Sequence, residues 1–372
     1  MSLEQETSDG TRDRVRRAVR GASPRTIVEL AGLTVTGVLA VVMIGFIGVD
    51  WLRDAPGVVG AVGATAFAGF MSGGAWLDTV VGTNVFRHPF MWRAIGTGVL
   101  IGIVGPLVGT YLVHRQMALI GETLAHTAFA GVAVGVLVVA GLSGTGIVDR
   151  VGSSGTLLLV ALIVSVFGAL GLQWLTDRTD SYGDVPIAIV LTGSFAVGTL
   201  LISWGRGSVT LAIDIEGFLF GSLAIVTVEG ARLVAVLSVL VVVGVAANYK
   251  QFLFITFDEQ AARVARVNVG FYNVLLIVMT AVVVVGAMQI LGVILVAGLL
   301  VIPVAAASQL SESFRETLYL SVLFGQLSVL GGLAVAIAAS LPPGGSIIVI
   351  AIGFYLLSIA VSDRSAGAIS VH

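Results

Sequence analysis

The chain has 372 residues, of which 57% are hydrophobic and only 11% are charged, and its mean hydropathy is +1.06. Soluble domains carry about 25% charged residues, so this composition excludes a water-soluble protein and indicates one that is embedded in a membrane. The sequence contains no cysteine, which excludes disulfides and metal sites built on thiolates. A formal net charge of −2 gives no sign of a nucleic-acid partner.

Residues 1–26 form a polar arm with six arginines, which we predict to stay on the cytoplasmic side of the membrane. Apolar segments of the length that a bilayer core requires follow this arm. Ten of them are predicted to cross, at about 27–49, 93–113, 118–141, 155–176, 184–204, 229–248, 270–288, 290–308, 316–340 and 345–361. The predicted fold is therefore all-α, a polytopic bundle of about ten membrane helices (range 8–11) followed by a short tail, 363–372.

The segment 57–77 is rich in glycine and alanine, and only weakly hydrophobic. If it does not cross, both termini of the chain lie inside, and the inner segments carry thirteen of the nineteen Lys and Arg residues. This count agrees with the excess of positive charge on the cytoplasmic side of membrane proteins. If the segment does cross, the arm lies outside instead.

Two ionisable side chains, Glu122 and His126, interrupt the apolar segment that starts at Met117. They are four residues apart, so a helix places them on one face within reach of each other. An ionisable side chain costs about 2.5–3.5 kcal/mol at the centre of a bilayer, and such residues usually face a cavity or a partner. Carboxylate and imidazole are ligands for Zn, Mn or Fe, which predicts a metal site. Alternatively, the two side chains bond to each other and tie two helices together.

Residues 250–269 are the one long polar interruption in the second half of the chain. The run from Asp258 to Arg266 is predicted to form a short amphipathic helix that begins with acidic residues, as the helix dipole favours. Such a helix can dock into a groove of a partner protein, although a solvated loop explains the same pattern. The chain contains no GxxxxGK[ST] phosphate loop and no HExxH zinc motif, so no catalytic machinery is visible.

Five strings stand out between Phe86 and Ser362. They are RQMALIGETLAHTAFAGVAVG (Arg115–Gly135), DIEGFLFGSL (Asp214–Leu223), FDEQAARVARV (Phe257–Val267), ILGVILVAGLLVIPVAAA (Ile290–Ala307) and SLPPGGSIIVI (Ser340–Ile350). In this order and spacing they resemble the motifs of the metal-type permeases of ABC importers, which take up zinc, manganese or iron.

This resemblance implies a multi-pass permease of the cell membrane whose core is 86–362, which works as a homodimer and is not itself an enzyme. A separate cytoplasmic ABC ATPase would hydrolyse the ATP, and an extracytoplasmic metal-binding protein would deliver the ion. Glu122 and His126 match the Asp and His of the family motif and would coordinate the transported Zn²⁺ or Mn²⁺ (or Fe²⁺), with no cofactor bound permanently.

The resemblance also implies that 257–269 contains the segment that couples to the ATPase. The residues expected to contact it are Asp258, Glu259, Ala262, Arg263 and Arg266. Arg266 stands where the family pattern has glycine, so the resemblance leaves the shape of this helix end open. Residues 27–85, an extra span and the segment around 57–77, have no counterpart in the pattern.

Three other functions remain open from the sequence. The chain could import a metal chelate such as a siderophore or corrinoid, for which a wider conduit without direct ligands suffices. It could transport the metal without ATP, as a secondary transporter or channel. An intramembrane metalloenzyme is disfavoured, because no further intramembrane acid, histidine or nucleophile completes a site with Glu122 and His126.

Overall fold

The computed structural model describes residues 24–142, 153–178, 185–205, 221, 226–293 and 296–369. Within these residues the chain folds into helices without strands, which confirms the predicted all-α membrane bundle. In chain order the helices are α1 (Pro24–Leu52), α2 (Val58–Val81), α3 (Pro89–His114), α4 (Leu119–Leu142), α5 (Ser153–Arg178), α6 (Val185–Gly205), α7 (Val228–Ala247), α8 (Tyr249–Phe257), α9 (Glu259–Val264), α10 (Val269–Leu291), α11 (Val296–Ser308), α12 (Phe314–Ala339) and α13 (Pro343–Ile369). The predicted arm, 1–26, and the string Asp214–Leu223 lie almost entirely outside the described residues.

Helix α3 is the centre of the bundle. Most of its side chains are buried, and it packs against α1, α7, α10, α11 and α12. Glycines permit the closest of these contacts: a Cβ added to Gly102 would lie 3.1 Å from the Cα of Gln326 on α12. Membrane helices associate through such small residues because lipid tails provide no hydrophobic drive for helix packing.

The boundary between the two predicted spans 270–288 and 290–308 differs from the prediction. Helix α10 continues to Leu291 and ends at Gly292, whose φ of 75° lies in the left-handed region that glycine adopts without strain. Helix α11 then has only 13 residues, or about 20 Å, which is shorter than a bilayer core of about 30 Å. It is packed inside the bundle, where Leu299 and Leu300 are fully buried.

The two ends of the bundle can be told apart by their contacts. We call the end that carries α8 and α9 the inner end, because the sequence predicts this segment to face the cytoplasm. There, the ring of His114 at the end of α3 lies 5.0 Å from Phe314 at the start of α12 and 6.4 Å from Phe257 of α8. At the opposite, outer end, Arg93 near the start of α3 binds Asp50 near the end of α1.

Helix α2 is long and apolar enough to cross a membrane, but both of its ends lie at the outer end of the bundle. At its start, a Cβ on Gly63 would lie 2.6 Å from the backbone nitrogen of Arg53, which directly follows α1. At its end, a Cβ on Gly74 would collide with the carbonyl of Phe86, just before α3. The helix therefore lies across the outer ends of α1 and α3 and does not run along them. With α2 left out, the ten predicted spans correspond to α1, α3–α7 and α10–α13, of which α11 is too short to cross a bilayer core on its own.

The carboxylate of Asp78, near the end of α2, organises the loop that leads into α3. It accepts backbone N–H groups from Val85 (2.9 Å), Phe86 (3.0 Å) and Arg87 (2.9 Å), together with the hydroxyl of Thr83 (2.9 Å) and Nε of Arg87 (3.2 Å). Because Asp78 is almost fully buried, these donors compensate for the loss of water around its charge. The loop is thus wrapped around a group that belongs to α2.

Candidate functional site: a metal pair and a coupling segment

Glu122 and His126 lie in the first two turns of α4, about 5 Å and about 10 Å along the helix from its inner start at Leu119. Both side chains are partly exposed in a helix whose other side chains over the same stretch are buried. The neighbouring Thr123 and Thr127 are buried, and each hydroxyl donates to a carbonyl of its own helix. Glu122 and His126 are therefore the two polar side chains of this stretch that remain available to a ligand.

The packing of α4 explains where the histidine points. Helix α4 packs mainly between α5 and α6, and the ring of His126 is perpendicular to that of Phe195 on α6, with 5.0 Å between the ring centroids. Phe195 in turn stacks on Phe129, one turn further along α4. The Nδ1 atom of His126 is buried and has no hydrogen-bond partner within the described part of the chain. A buried polar atom without a partner is costly, and a ligand bound to this nitrogen would remove that cost.

Within the residues that the structure describes, the pair is incomplete as a metal site. No cluster of three or more His, Cys, Asp or Glu side chains that could hold a metal occurs among the described residues. The acidic residues Asp214 and Glu216, which belong to one of the five strings, lie outside that part of the chain. The described residues thus offer one carboxylate and one imidazole, half of the four or more ligands that metal ions such as zinc take.

The polar segment at the inner end contains the short helix that was predicted from Asp258 onward, which is α9, and a second short helix, α8, in front of it. The apolar part before it forms α8, and Asp258 (φ −150°, ψ 90°) breaks the helix with an extended residue. Its carboxylate then caps α9 by accepting the N–H of Ala261 at 2.8 Å. The turn that results lets α9 project from the inner end of the bundle.

The residues predicted to contact the ATPase differ in accessibility. Arg263 is exposed and pairs with Glu259 one turn earlier, at 2.6 Å, and Asp258 and Arg266 are also exposed. Ala262 is fully buried and packs with Ile255 and Val269, so its role is to hold α9 on the bundle. The sequence reading missed Val264, which is 86% exposed and so offers an apolar side chain to a partner.

Arg266 ends α9 in a backbone conformation that glycine usually adopts. Its φ of 60° lies in the left-handed region. Its N–H reaches the carbonyl of Arg263 at 3.1 Å, and the N–H of Val267 reaches that of Ala262 at 3.0 Å. This pair of bonds is the Schellman motif, in which the left-handed position is usually glycine. At this helix end the chain therefore adopts the conformation typical of glycine with an arginine.

Arg115 joins the coupling segment to the start of α4, and the sequence reading did not single it out. Its side chain is only 8% exposed and lies 3.8 Å from the carboxylate of Glu259 on α9. The same nitrogen donates to Asn273 on α10 at 2.6 Å. Burial lowers the pKa of the Arg115 guanidinium and Glu259 opposes that shift, and an arginine remains charged throughout. Four residues after Arg115 the chain enters α4, the helix that carries Glu122 and His126.

A group of charged residues at the outer end was also missed. Asp50 of α1 binds Arg93 of α3 through Nε at 2.8 Å and Nη2 at 3.3 Å, and Arg53 lies 3.3 Å from the same carboxylate. Arg232 on α7 binds the neighbouring Asp54 at 3.0 Å. The pairs Asp50–Arg93 and Asp54–Arg232 are 43 and 178 residues apart in the chain, and a single sequence carries no signal that would pair them.

Comparison with known proteins places this architecture among transporters. The statistical model of the ABC 3 transport family matches residues 87–362. The manganese transport system membrane protein MntC of Listeria innocua is 28% identical over 268 residues, which cover 72% of this chain and 89% of that protein. The high-affinity zinc uptake system membrane protein ZnuB of Buchnera aphidicola is 29% identical over 273 residues, covering 72% and 98%. The solved structure of PsaBC from Streptococcus pneumoniae in complex with Fab matches with a TM-score of 0.62 and 26% identity, over 73% of this chain and 91% of that chain.

Proposed function

Since the chain belongs to the ABC 3 transport family, we propose that it is the permease subunit of an ATP-driven importer of a divalent transition metal, Mn²⁺ or Zn²⁺, with Fe²⁺ as a third candidate. The observation that carries the proposal is the pair Glu122 and His126, the accessible acid and imidazole of an otherwise apolar helix. Relatives that transport manganese and zinc by name support this choice of cargo.

The donor set of the pair suits a cargo that must be released again. Mn²⁺, Zn²⁺ and Fe²⁺ all accept a carboxylate oxygen and an imidazole nitrogen, whereas the absence of cysteine removes the thiolates that would hold Zn²⁺ or Cu⁺ tightly. Conduction requires binding that is strong enough for entry and weak enough for exit. Two ligands from one chain provide such a station, and a second copy of the permease would contribute an equivalent pair across a homodimer.

The coupling segment would bind a separate ATPase and transmit its conformational change to the permease. Helix α9 projects at the inner end with Arg263, Val264 and Arg266 exposed, and an apolar side chain flanked by two positive charges fits an acidic groove with an apolar floor. Glu259 links this surface to Arg115, which precedes α4. A displacement of α9 by the ATPase would thus reach the start of the helix that carries Glu122 and His126. At the outer end, an extracytoplasmic binding protein would deliver the metal.

Uptake of radioactive Mn²⁺ and Zn²⁺ tests the cargo and the site. The chain would be produced with its ATPase and binding protein in cells that lack other importers for these metals. We expect Glu122→Gln and His126→Gln each to lower uptake by at least about tenfold, since even groups that only support a metal ligand contribute about 10- to 100-fold. The matched control is Thr123→Val on the same helix turn, which removes a hydroxyl that already bonds within the helix and should leave uptake unchanged.

The outcomes separate the proposal from its alternatives. Uptake at the wild-type rate in both variants would contradict a metal station at this pair. Uptake that persists with an ATPase that cannot hydrolyse ATP would identify a secondary transporter. A separate assay measures co-purification of the ATPase: Arg263→Glu on α9 should weaken it, whereas Lys250→Glu, an exposed position of α8, should not.

A further inference from the structure

Most of the surface of α2 has no partner within the described chain. Its inward side is a stripe at helical spacing that includes Gly60, Gly63, Gly74 and Asp78, all buried. The rest of the helix faces away from the bundle and carries exposed apolar side chains, Val58 (80% exposed), Val59, Val62, Trp76, Val80 and Val81. A helix that lies across the outer end of the bundle thus presents a broad apolar surface outward.

The polar groups of α2 are arranged as an apolar solvent requires. The hydroxyls of Thr65, Ser72 and Thr79 each donate to a backbone carbonyl three or four residues earlier in the same helix. The one charged residue of the helix, Asp78, is turned inward and bound by the loop before α3. The outward surface of α2 therefore has no charge and no hydroxyl without a partner. In water, an exposed hydroxyl or charge can bond to the solvent. In hydrocarbon it cannot, and an unsatisfied polar group there costs several kcal/mol.

Aromatic and charged side chains near α2 indicate its depth relative to the membrane surface. Trp51 at the end of α1 and Trp76 on α2 are both exposed, and tryptophans are enriched where lipid headgroups meet the hydrocarbon. The charges of Asp54 and Arg87, at the two ends of α2, are exposed close by. The apolar surface thus lies beside groups that need water, at one edge of the bundle.

We propose that α2 lies in the plane of the membrane, with its outward surface in contact with the acyl chains of the outer leaflet. It precedes the part of the chain that the family model matches, residues 87–362, so this surface is an addition to the shared core. The absence of charge from its outward side favours lipid over a protein partner, because protein interfaces have a polar rim around their apolar centre. Through its contacts at Arg53 and Phe86, α2 would hold the outer ends of α1 and α3 at a defined depth.

Labelling with a membrane-impermeant maleimide tests the topology, and the cysteine-free chain permits single-cysteine variants without further changes. Pro56→Cys and Asn84→Cys place exposed thiols just before and just after α2. We expect both thiols to react in intact cells, whereas Gln260→Cys on α9 should react only after permeabilisation. Reaction of Pro56→Cys and Asn84→Cys from opposite sides would show that α2 crosses, and would overturn the proposal.

Spin labels measure the depth of the helix and identify what covers it. Val62 and Gly69 are exposed, seven residues apart and on the same side of α2; Val35 and Val42 have the same spacing on α1 and are the matched control. Seven residues along a helix that crosses change the depth by about 10 Å. We expect this difference for the α1 pair and less than about 3 Å for the α2 pair.

Collision with oxygen and with a water-soluble nickel chelate distinguishes the possible surroundings of a label at Gly69. Free access of oxygen with exclusion of nickel supports contact with lipid. Access of nickel would show that the surface faces water, and exclusion of both reagents would show that a second copy or another protein covers it. Either of the last two results overturns the proposal. None of these measurements depends on transport, so they stand apart from the proposed cargo.

Discussion

Replacement of Asp50 by asparagine tests how much the buried charges at the outer end contribute to stability. The Asp50 side chain is 3% exposed and binds both Arg93 and Arg53. Asparagine keeps the size of the side chain but removes its charge, which leaves the guanidinium of Arg93, itself 13% exposed, without compensation. Breaking a buried ion pair from one side costs about 3–5 kcal/mol, so we expect Asp50→Asn to lower the free energy of unfolding by about 3 kcal/mol.

Asp54 provides the matched control. It binds Arg53 and Arg232 in the same group of charges, but its side chain is 60% exposed. Exposed ion pairs contribute about 0–1 kcal/mol, so Asp54→Asn should lower the free energy of unfolding by less than about 1 kcal/mol.

Titration of the purified chain with SDS in mixed micelles measures both variants against the wild type. The double variant Asp50→Asn/Arg93→Gln should lose less than the sum of the two single changes, because both changes act on one interaction. Equal effects of Asp50→Asn and Asp54→Asn, within about 0.5 kcal/mol, would refute the reasoning that burial decides the strength of this group.

Two further predictions concern the inner end. Arg266→Gly should stabilise the chain by about 1 kcal/mol, because a non-glycine residue in the left-handed conformation costs about 1–2 kcal/mol. The control Arg263→Gly, inside α9, should instead destabilise the chain by a similar amount. A change of the same sign for both variants in the SDS titration would contradict the Schellman geometry. Arg115→Gln should lower maximal metal uptake about tenfold, the lower bound for a hydrogen bond to a charged group, while the metal KM and the co-purification of the ATPase stay unchanged. Arg178→Gln, which changes an exposed arginine at the inner end of α5, should affect neither quantity, and a changed KM with unchanged maximal uptake would exclude Arg115 as a link to the coupling segment.

Hydropathy and composition were sufficient to predict the membrane bundle and its helices, because each apolar run must form a helix to satisfy its own backbone in lipid. The five strings identified the family, which the match over residues 87–362 confirms. Hydropathy alone did not decide whether the segment 57–77 crosses the membrane. A helix of that length and composition is stable both across the bilayer and in the plane of its surface. The decision depends on Gly63 and Gly74, whose missing side chains let α2 approach the backbone of the adjoining turns.

For the candidate site, too, the sequence identified single residues but not the contacts that the fold creates. Glu122 and His126 were found from the sequence because an ionisable side chain in an apolar helix is costly wherever it lies. Ala262, by contrast, was placed on the docking surface and is buried, because a helix of six residues is too short for its pattern to distinguish the side that packs from the side that binds. Arg115 was missed because its partner Asn273 is 158 residues away, and only the fold brings them together.

The carboxylate of Asp78 has a consequence for how this protein can be divided. Similarity to other permeases begins at residue 87, and a protein engineer would cut the chain there to isolate the shared part. The fragment would keep Arg87 but lose the carboxylate to which the backbone N–H and Nε of Arg87 donate, and the entry to the central helix would lose its anchor. The smallest fragment that preserves that entry must begin before Val58, so the evolutionary boundary and the mechanical boundary of this chain lie about thirty residues apart.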